Sequence, residues 1–151
     1  MPELWIGLIV VVLILITILA LLGLNKVKII ESIEQRLKVY GSLEKAKNPN
    51  HGYVLKTPSE SHQIMLLYAP SATEVSFNSK RHWQVFQGSK KGMLPTYDFA
   101  ELTGKKVLIV YPKPGKMVKY INENEVVFVS MSLDVFGMHV ISIDQIETYF
   151  G

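Results

Sequence analysis

The sequence predicts a mainly β, water-soluble domain behind one N-terminal transmembrane helix and a short amphipathic helix. Three observations lead to this fold class. Residues 4–24 carry no charge and are almost entirely aliphatic, residues 26–48 place apolar side chains at helical spacing, and from Tyr53 short apolar runs alternate with turn residues. The expected segments are therefore an anchor over 1–25, a juxtamembrane helix over 26–48 and a soluble β-rich domain over 49–151.

The uncharged run is long enough to span a bilayer. From Leu4 to Leu24 a helix would extend about 31 Å, roughly the thickness of the hydrocarbon core. Only a helix satisfies its own backbone polar groups there, and Trp5 and Leu24 mark the ends of the expected anchor, with the Trp5 ring suited to the interface. A cleaved signal peptide fits less well, because no basic residue precedes the run and no small-x-small site follows it.

The basic residues around the anchor predict its orientation. Lys26, Lys28, Arg36 and Lys38 follow the apolar run, whereas Glu3 is the only charged side chain before it. By the positive-inside rule, the chain is a single-pass protein of the cell membrane with its C-terminal domain in the cytoplasm. The chain has no cysteine, so no disulfide pattern bears on the compartment.

The juxtamembrane helix carries an apolar stripe. Ile30, Ile33, Leu37 and Tyr40 are three, four and three residues apart, which is the spacing of a heptad seam. Two interpretations stay open. The stripe packs on the protein's own domain or on lipid headgroups, or it joins two copies of the chain in a homo-oligomer. The turn-forming residues Asn48 to Gly52 are expected to end the helix.

Short runs of period two predict strands through the rest of the chain. They lie at 53–56, 63–69, 74–78, 82–87, 106–111, 117–121, 126–131 and 138–143, with a short helical turn at 144–147. The last four strands are about eleven residues apart, a spacing that indicates an antiparallel meander. We expect residues 93–151 to close into a small SH3-like or OB-like barrel. Whether residues 52–92 complete that barrel or form a second sheet layer stays open.

Charge is distributed unevenly. From Lys80 to Lys119 there are nine basic residues against two acidic ones, and from Tyr120 to Gly151 there are five acidic residues and no Lys or Arg. Because loops at one end of a meander lie close together, the basic loops predict a basic pole. The residues expected to contact a protein partner or anionic lipid are Lys80, Arg81, Lys90, Lys91, Lys113 and Lys116.

Two other interpretations of these basic residues compete with the basic pole. One is an ordinary solvated surface. The other is nucleic-acid binding, because the stretch from Lys80 to Trp83, followed by Phe86, places rings among charges. The alternation of the stretch, however, favours Trp83 as a core residue.

No catalytic motif is visible. Without cysteine there is no thiol nucleophile or thiolate metal site, and no glycine-rich phosphate loop or nucleophile elbow occurs. Glu60 and His62 would share a face of a strand but are expected in a solvated loop, and His139 is expected to be a hydrogen-bonded core residue. No catalytic residue, cofactor or metal is predicted, and the chain is not expected to be an enzyme.

The expected function is that of a membrane-anchored binding or scaffolding module. The alternatives are a membrane-tethered nucleic-acid-binding protein and an accessory subunit or inhibitor of a membrane complex.

Overall fold

The chain consists of two compact units in a computed structural model that describes residues 1–151. Residues 1–35 form the helical unit and Arg36–Gly151 form the β unit. Helix α1, Pro2–Lys38, confirms the predicted long apolar helix. It is the one helix that is long and apolar enough to cross a membrane, and none of its most apolar stretch is buried. Membrane anchors and signal sequences share this length and composition.

The helix ends earlier than the sequence pattern predicts. After Lys38 the chain turns, and Ser42–Lys45 forms strand β1 where a helix was expected as far as residue 48. Gly41 explains the difference, because a Cβ atom at this position would lie 2.1 Å from the carbonyl oxygen of Lys56. Only glycine allows this close approach of two backbones, which brings β1 alongside the next strand.

Nine further strands and one short helix follow in the β unit. They are β2 (Tyr53–Lys56), β3 (Ser61–Tyr68), β4 (Glu74–Ser79), β5 (His82–Gln87), β6 (Lys90–Leu94), β7 (Lys105–Tyr111), β8 (Met117–Asn122), β9 (Glu125–Phe128), β10 (His139–Ser142) and α2 (Ile146–Phe150). All eight predicted strands are present within a few residues, and the short helical turn near the C-terminus is confirmed. Strands β1 and β6 were not predicted.

The strands form two mixed five-stranded sheets. Sheet A has the order β1-β2-β3-β7-β10, and sheet B has the order β6-β5-β4-β8-β9. In sheet A, β3 and β10 both run parallel to β7, and in sheet B, β4 runs parallel to β8. All other neighbours are antiparallel.

The predicted barrel is wrong, because neither sheet closes. The predicted meander over residues 93–151 is also wrong, since β7 and β10 belong to sheet A while β8 and β9 belong to sheet B. The physical reason is the corner between β7 and β8. There Gly115 donates its N–H to the Ala72 carbonyl, and Lys116 donates to the Thr73 carbonyl. These bonds stack the corner on the equivalent β3–β4 corner, so the chain crosses between sheets at both places.

The main hydrophobic core lies between the two sheets. Its largest members are Phe77 and Trp83, whose rings meet edge to face with centroids 5.6 Å apart. The opposite face of sheet A carries a second buried layer, which includes Leu55, Ile64 and Val107. Both faces of sheet A therefore carry buried apolar side chains. This explains why β7 is apolar at almost every position.

Candidate functional site

The structure divides the predicted basic pole between two ends of sheet B. Lys80 and Arg81 precede β5, whereas Lys90 and Lys91 follow it, so the two pairs lie at opposite ends of that strand. The β7–β8 corner, which holds Lys113 and Lys116, lies at the start of β4, because Val75 donates its N–H to the Lys116 carbonyl. The other four residues, Lys90, Lys91, Lys113 and Lys116, therefore lie at one end of sheet B. Lys80 and Arg81 lie at the opposite end.

Three of these six residues have carboxylate partners. One guanidinium nitrogen of Arg81 lies 2.8 Å from a Glu101 carboxylate oxygen, and another lies 3.2 Å from Asp98. The ammonium of Lys113 lies 2.9 Å from Asp144. The ammonium of Lys116 lies 3.0 Å from Glu74. Exposed pairs of this kind add little to stability. They reduce the charge that these three side chains offer to a partner.

Lys80, Lys90 and Lys91 form no salt bridge, so they carry the free charge of the predicted set. The ammonium of Lys91 lies 5.7 Å from the centre of the Phe86 ring. Lys90 and Lys91 begin β6, the strand at one edge of sheet B.

The outer face of sheet B exposes apolar side chains at its two edges. The registers align Met93, Gln84, Ser76, Val118 and Phe128 in one row across all five strands. Trp83, Val75 and Phe77 alternate with them and point into the core, so the row points away from it. Only the ends of the row are open, with Met93 57% and Phe128 74% exposed, whereas the three middle residues are buried.

Further apolar groups extend this surface at β9. Val126 is paired with Tyr120 next to the row, and Ile121 is also exposed in the β8–β9 hairpin. The acidic side chains of Glu123 and Glu125 lie at the hairpin turn. The outer face therefore runs from a basic edge at β6 to an acidic edge at β9. Sequence reasoning missed it, because the signal is the pairing of residues far apart along the chain.

Side chains from β3, β7, β10 and α2 form a polar pocket of about 500 Å³. His62 Nε2 lies 3.1 Å from Glu60 Oε1, and the other Glu60 oxygen accepts a hydrogen bond from Lys105. That hydrogen bond lowers the pKa of Glu60. On the other side, His139 Nδ1 lies 2.6 Å from the Tyr149 hydroxyl.

His62 corrects the expectation of a solvated loop. It is 4% exposed on β3, its ring lies edge-on to Phe150 at 5.3 Å, and its Nδ1 atom has no hydrogen-bond partner. Burial lowers the pKa of His62, so the ring is neutral near pH 7. His139 is hydrogen-bonded as expected, but it is half-buried and not a core residue. No three His, Asp or Glu side chains converge as metal ligands do.

The residues of the apolar stripe divide between the two units. Leu37 is fully buried, and the ring of Tyr40 packs on that of Phe150 with centroids 5.8 Å apart. These two positions serve packing of the β unit. Ile30 and Ile33 lie on α1 in the helical unit, and self-association through them stays a prediction.

The expected anchor residues Trp5 and Leu24 are both exposed on α1.

No protein-family model matches this chain, and neither the comparison with curated proteins nor that with solved structures gives a significant match.

Proposed function

We propose that this protein is a single-pass membrane-anchored binding module whose outer face of sheet B docks a protein partner in the cytoplasm. The anchor rests on α1, whose apolar stretch is wholly exposed and of bilayer length. The orientation rests on the basic residues Lys26, Lys28, Arg36 and Lys38, which follow that stretch. The module binds its partner and catalyses no reaction.

The observation that carries the binding role is the exposure of Met93 and Phe128 at the two ends of one row. Large apolar side chains exposed together on one sheet face are a common feature of interaction surfaces. Aromatic residues and methionine are enriched in the cores of such interfaces. This face exposes one of each, Met93 and Phe128, and it is bordered by charges of opposite sign.

The charges favour a protein over lipid or nucleic acid as the occupant. An anionic bilayer or a phosphate backbone would be attracted to Lys90 and Lys91 but repelled by Glu123 and Glu125 across the same face. A protein can place acidic groups opposite β6 and basic groups opposite β9. Trp83, the ring that suggested base stacking, is fully buried in the core.

Anchoring contributes to the proposed function because it concentrates the module at the membrane. A module held at a membrane meets other membrane-associated proteins at a higher effective concentration than it would in free solution. A moderate affinity of the outer face then suffices for binding.

Site-specific photo-crosslinking in cells tests this role. A benzophenone amino acid placed at Phe128 or at Met93 is expected to form adducts with the same protein, because both positions belong to one row. The same group at Tyr97, an exposed ring outside the row, is the matched control. Adducts that are absent at both positions, or that are the same at Tyr97, would contradict the proposal.

Charge reversal gives a second measurement on the same adducts. The double variant Lys90→Glu, Lys91→Glu is expected to lower the yield of these adducts. The double variant Lys45→Glu, Lys47→Glu changes the same charge elsewhere on the surface, outside sheet B, and is expected to leave them unchanged.

A further inference from the structure

Lys106 is a buried cation without a carboxylate partner. It alternates along β7 with the core residues Leu108 and Val110, and it is 9% exposed. Its ammonium donates a hydrogen bond to the carbonyl oxygen of Leu102, and no carboxylate lies within salt-bridge distance. Lysine is rarely buried to this degree unless it is paired, because removing its charge from water is costly.

A pocket of about 270 Å³ opens beside this ammonium. Its lining includes Gly104, Lys105, Lys106, Asp134, Gly137 and His139. It lies at the end of sheet A where β7 and β10 begin, and it is separate from the outer face of sheet B. The pocket is smaller than those that hold drug-sized ligands, so its volume suits a small molecule or a single headgroup.

Two glycines line the pocket, and one of them lies beside the Lys106 ammonium. Gly104 and Gly137 both have positive φ, at +86° and +89°, a conformation that other residues seldom adopt. A Cβ atom at Gly137 would lie 3.8 Å from the Lys106 ammonium nitrogen. Glycine therefore leaves free the space in which a group bound by Lys106 would sit.

Two lysines, Lys105 and Lys106, and one acid, Asp134, line the pocket, and Lys105 is also paired with Glu60. Lys80 is close enough to lower the pKa of Lys106, although burial is the larger cause and Asp134 acts in the opposite direction. The Asp134 carboxylate already accepts a hydrogen bond from the Gly137 N–H at 3.3 Å. His139 and Tyr149 add polar atoms on the other wall.

We propose that this pocket binds a phosphate group, with Lys106 as its buried counter-ion. The ammonium has three N–H groups, of which the Leu102 carbonyl uses one, and lysine binds phosphate well as a point charge. The phosphate belongs either to a small soluble phosphate ester or to a lipid headgroup. The charge of the bound phosphate stabilises the protonated form of Lys106.

Full-length protein in a neutral detergent, titrated with inorganic phosphate, tests the site. Phosphate is expected to raise the Tm of the wild-type protein, whereas chloride at equal ionic strength is not. Lys106→Met keeps the apolar stem and removes the charge, and it is expected to weaken phosphate binding by about tenfold or more. Lys90→Met, at an exposed lysine without a salt bridge, is the matched control and is expected to bind as the wild type does.

Amine labelling of the wild-type chain tests phosphate binding without any substitution. Phosphate is expected to protect Lys106 from an amine-reactive reagent, as read by peptide mass spectrometry, and to leave Lys90 unchanged. The proposal is overturned if phosphate neither raises the Tm nor protects Lys106, or if Lys90→Met loses as much binding as Lys106→Met.

Nanodiscs identify the source of the phosphate. If it is a lipid headgroup, discs containing phosphatidic acid protect Lys106 without added phosphate, and discs of phosphatidylcholine alone do not. If it is a soluble ester, added phosphate protects Lys106 equally in both kinds of disc. Neither result depends on the outer face of sheet B, so this site and the proposed docking role can fail separately.

Discussion

Arg36 and Glu147 form a two-point ion pair that ties the last turn of α1 to helix α2. The Arg36 Nε atom lies 2.5 Å from Glu147 Oε1, and a terminal guanidinium nitrogen lies 2.6 Å from Oε2. The same nitrogen donates to the carbonyl of Ile143 at 2.7 Å. This bidentate geometry fixes the orientation of the Arg36 side chain as well as its distance from Glu147. It holds the first residues of the β unit against α2.

We expect acid to remove the contribution of this ion pair to the free energy of unfolding. The hydrogen bond from Arg36 lowers the pKa of Glu147 to about 2. Because the folded pKa is depressed, the contribution is complete above the usual value of 4.5 and disappears as the pH falls towards 2. Glu147→Gln is expected to lower the free energy of unfolding at pH 7 by at most about 1 kcal/mol, since the carboxylate is half exposed.

Urea denaturation in detergent across this pH range measures the effect. The difference between wild type and Glu147→Gln should shrink as the pH falls from 4.5. Glu123→Gln, at an exposed acid with no basic partner, should change little at any pH. A difference that persists at pH 2 would show that the Glu147 side chain stabilises the fold by packing and not by charge.

The buried His62 is expected to make the β unit sensitive to mild acid. Burial, the largest cause, and the charges of Lys105 and His139 lower its pKa from 6.5, and Glu60 only partly opposes them. The unfolded chain therefore binds a proton at a higher pH than the folded chain does, so stability falls as the pH drops below about 6.5. His62→Gln should flatten that fall in the free energy of unfolding.

His51 provides the matched control for this prediction. It lies in a turn, with its ring Nε2 2.8 Å from the Tyr97 carbonyl oxygen, and His51→Gln is expected to retain the wild-type slope. An equal slope in His62→Gln and the wild type would assign the acid sensitivity to other groups.

The two tryptophans offer a matched pair of substitutions. Trp83 is fully buried, and its ring N–H donates to the Ser79 carbonyl at 3.1 Å. Trp83→Phe leaves that carbonyl without its donor and is expected to destabilise the fold by about 1–3 kcal/mol. Trp5→Phe, on the exposed face of α1, should leave the denaturation midpoint of the β unit unchanged. Equal effects would contradict the placement of Trp83 in the core.

Gly41 is expected to tolerate no side chain. Gly41→Ala places a Cβ atom against the Lys56 carbonyl oxygen, and overpacking of this kind costs about 1–3 kcal/mol. The control is Gly92→Ala, where the new Cβ would meet Val85 Cγ1 at an ordinary 3.5 Å. Denaturation midpoints compare the two. Equal stability of both variants would mean that the β1 strand moves away without cost.

Local patterns predicted most strands but not their arrangement. The alternation in β4 and β5 follows from one face packing on the core, so it is visible in the sequence. The pairing of β3 with β7 is parallel and joins His62 to Lys105, a contact between distant segments that no local period records. Regular spacing then suggested a meander, whereas the Gly115 and Lys116 backbone bonds at the corner send the chain to the other sheet.

The same limit applies to the candidate sites. The excess of basic residues between Lys80 and Lys119 was visible, but which of them meet in space depends on strand direction. Lys106 was not singled out because one lysine in an apolar strand looks like the first residue of that strand. Only the fold shows that its ammonium is buried beside a pocket.

Orientation decides which partners the β unit can meet, and the absence of cysteine makes it measurable. Ser89, between β5 and β6, is exposed, so Ser89→Cys places a single thiol on the β unit. A membrane-impermeant maleimide is expected to label it only after lysis, because the basic residues that follow the apolar stretch of α1 favour a cytoplasmic location. Glu3→Cys, on the other side of the apolar stretch, is the matched control and should label in intact cells. The reverse pattern would place the outer face of sheet B outside the cell and exclude every cytoplasmic partner.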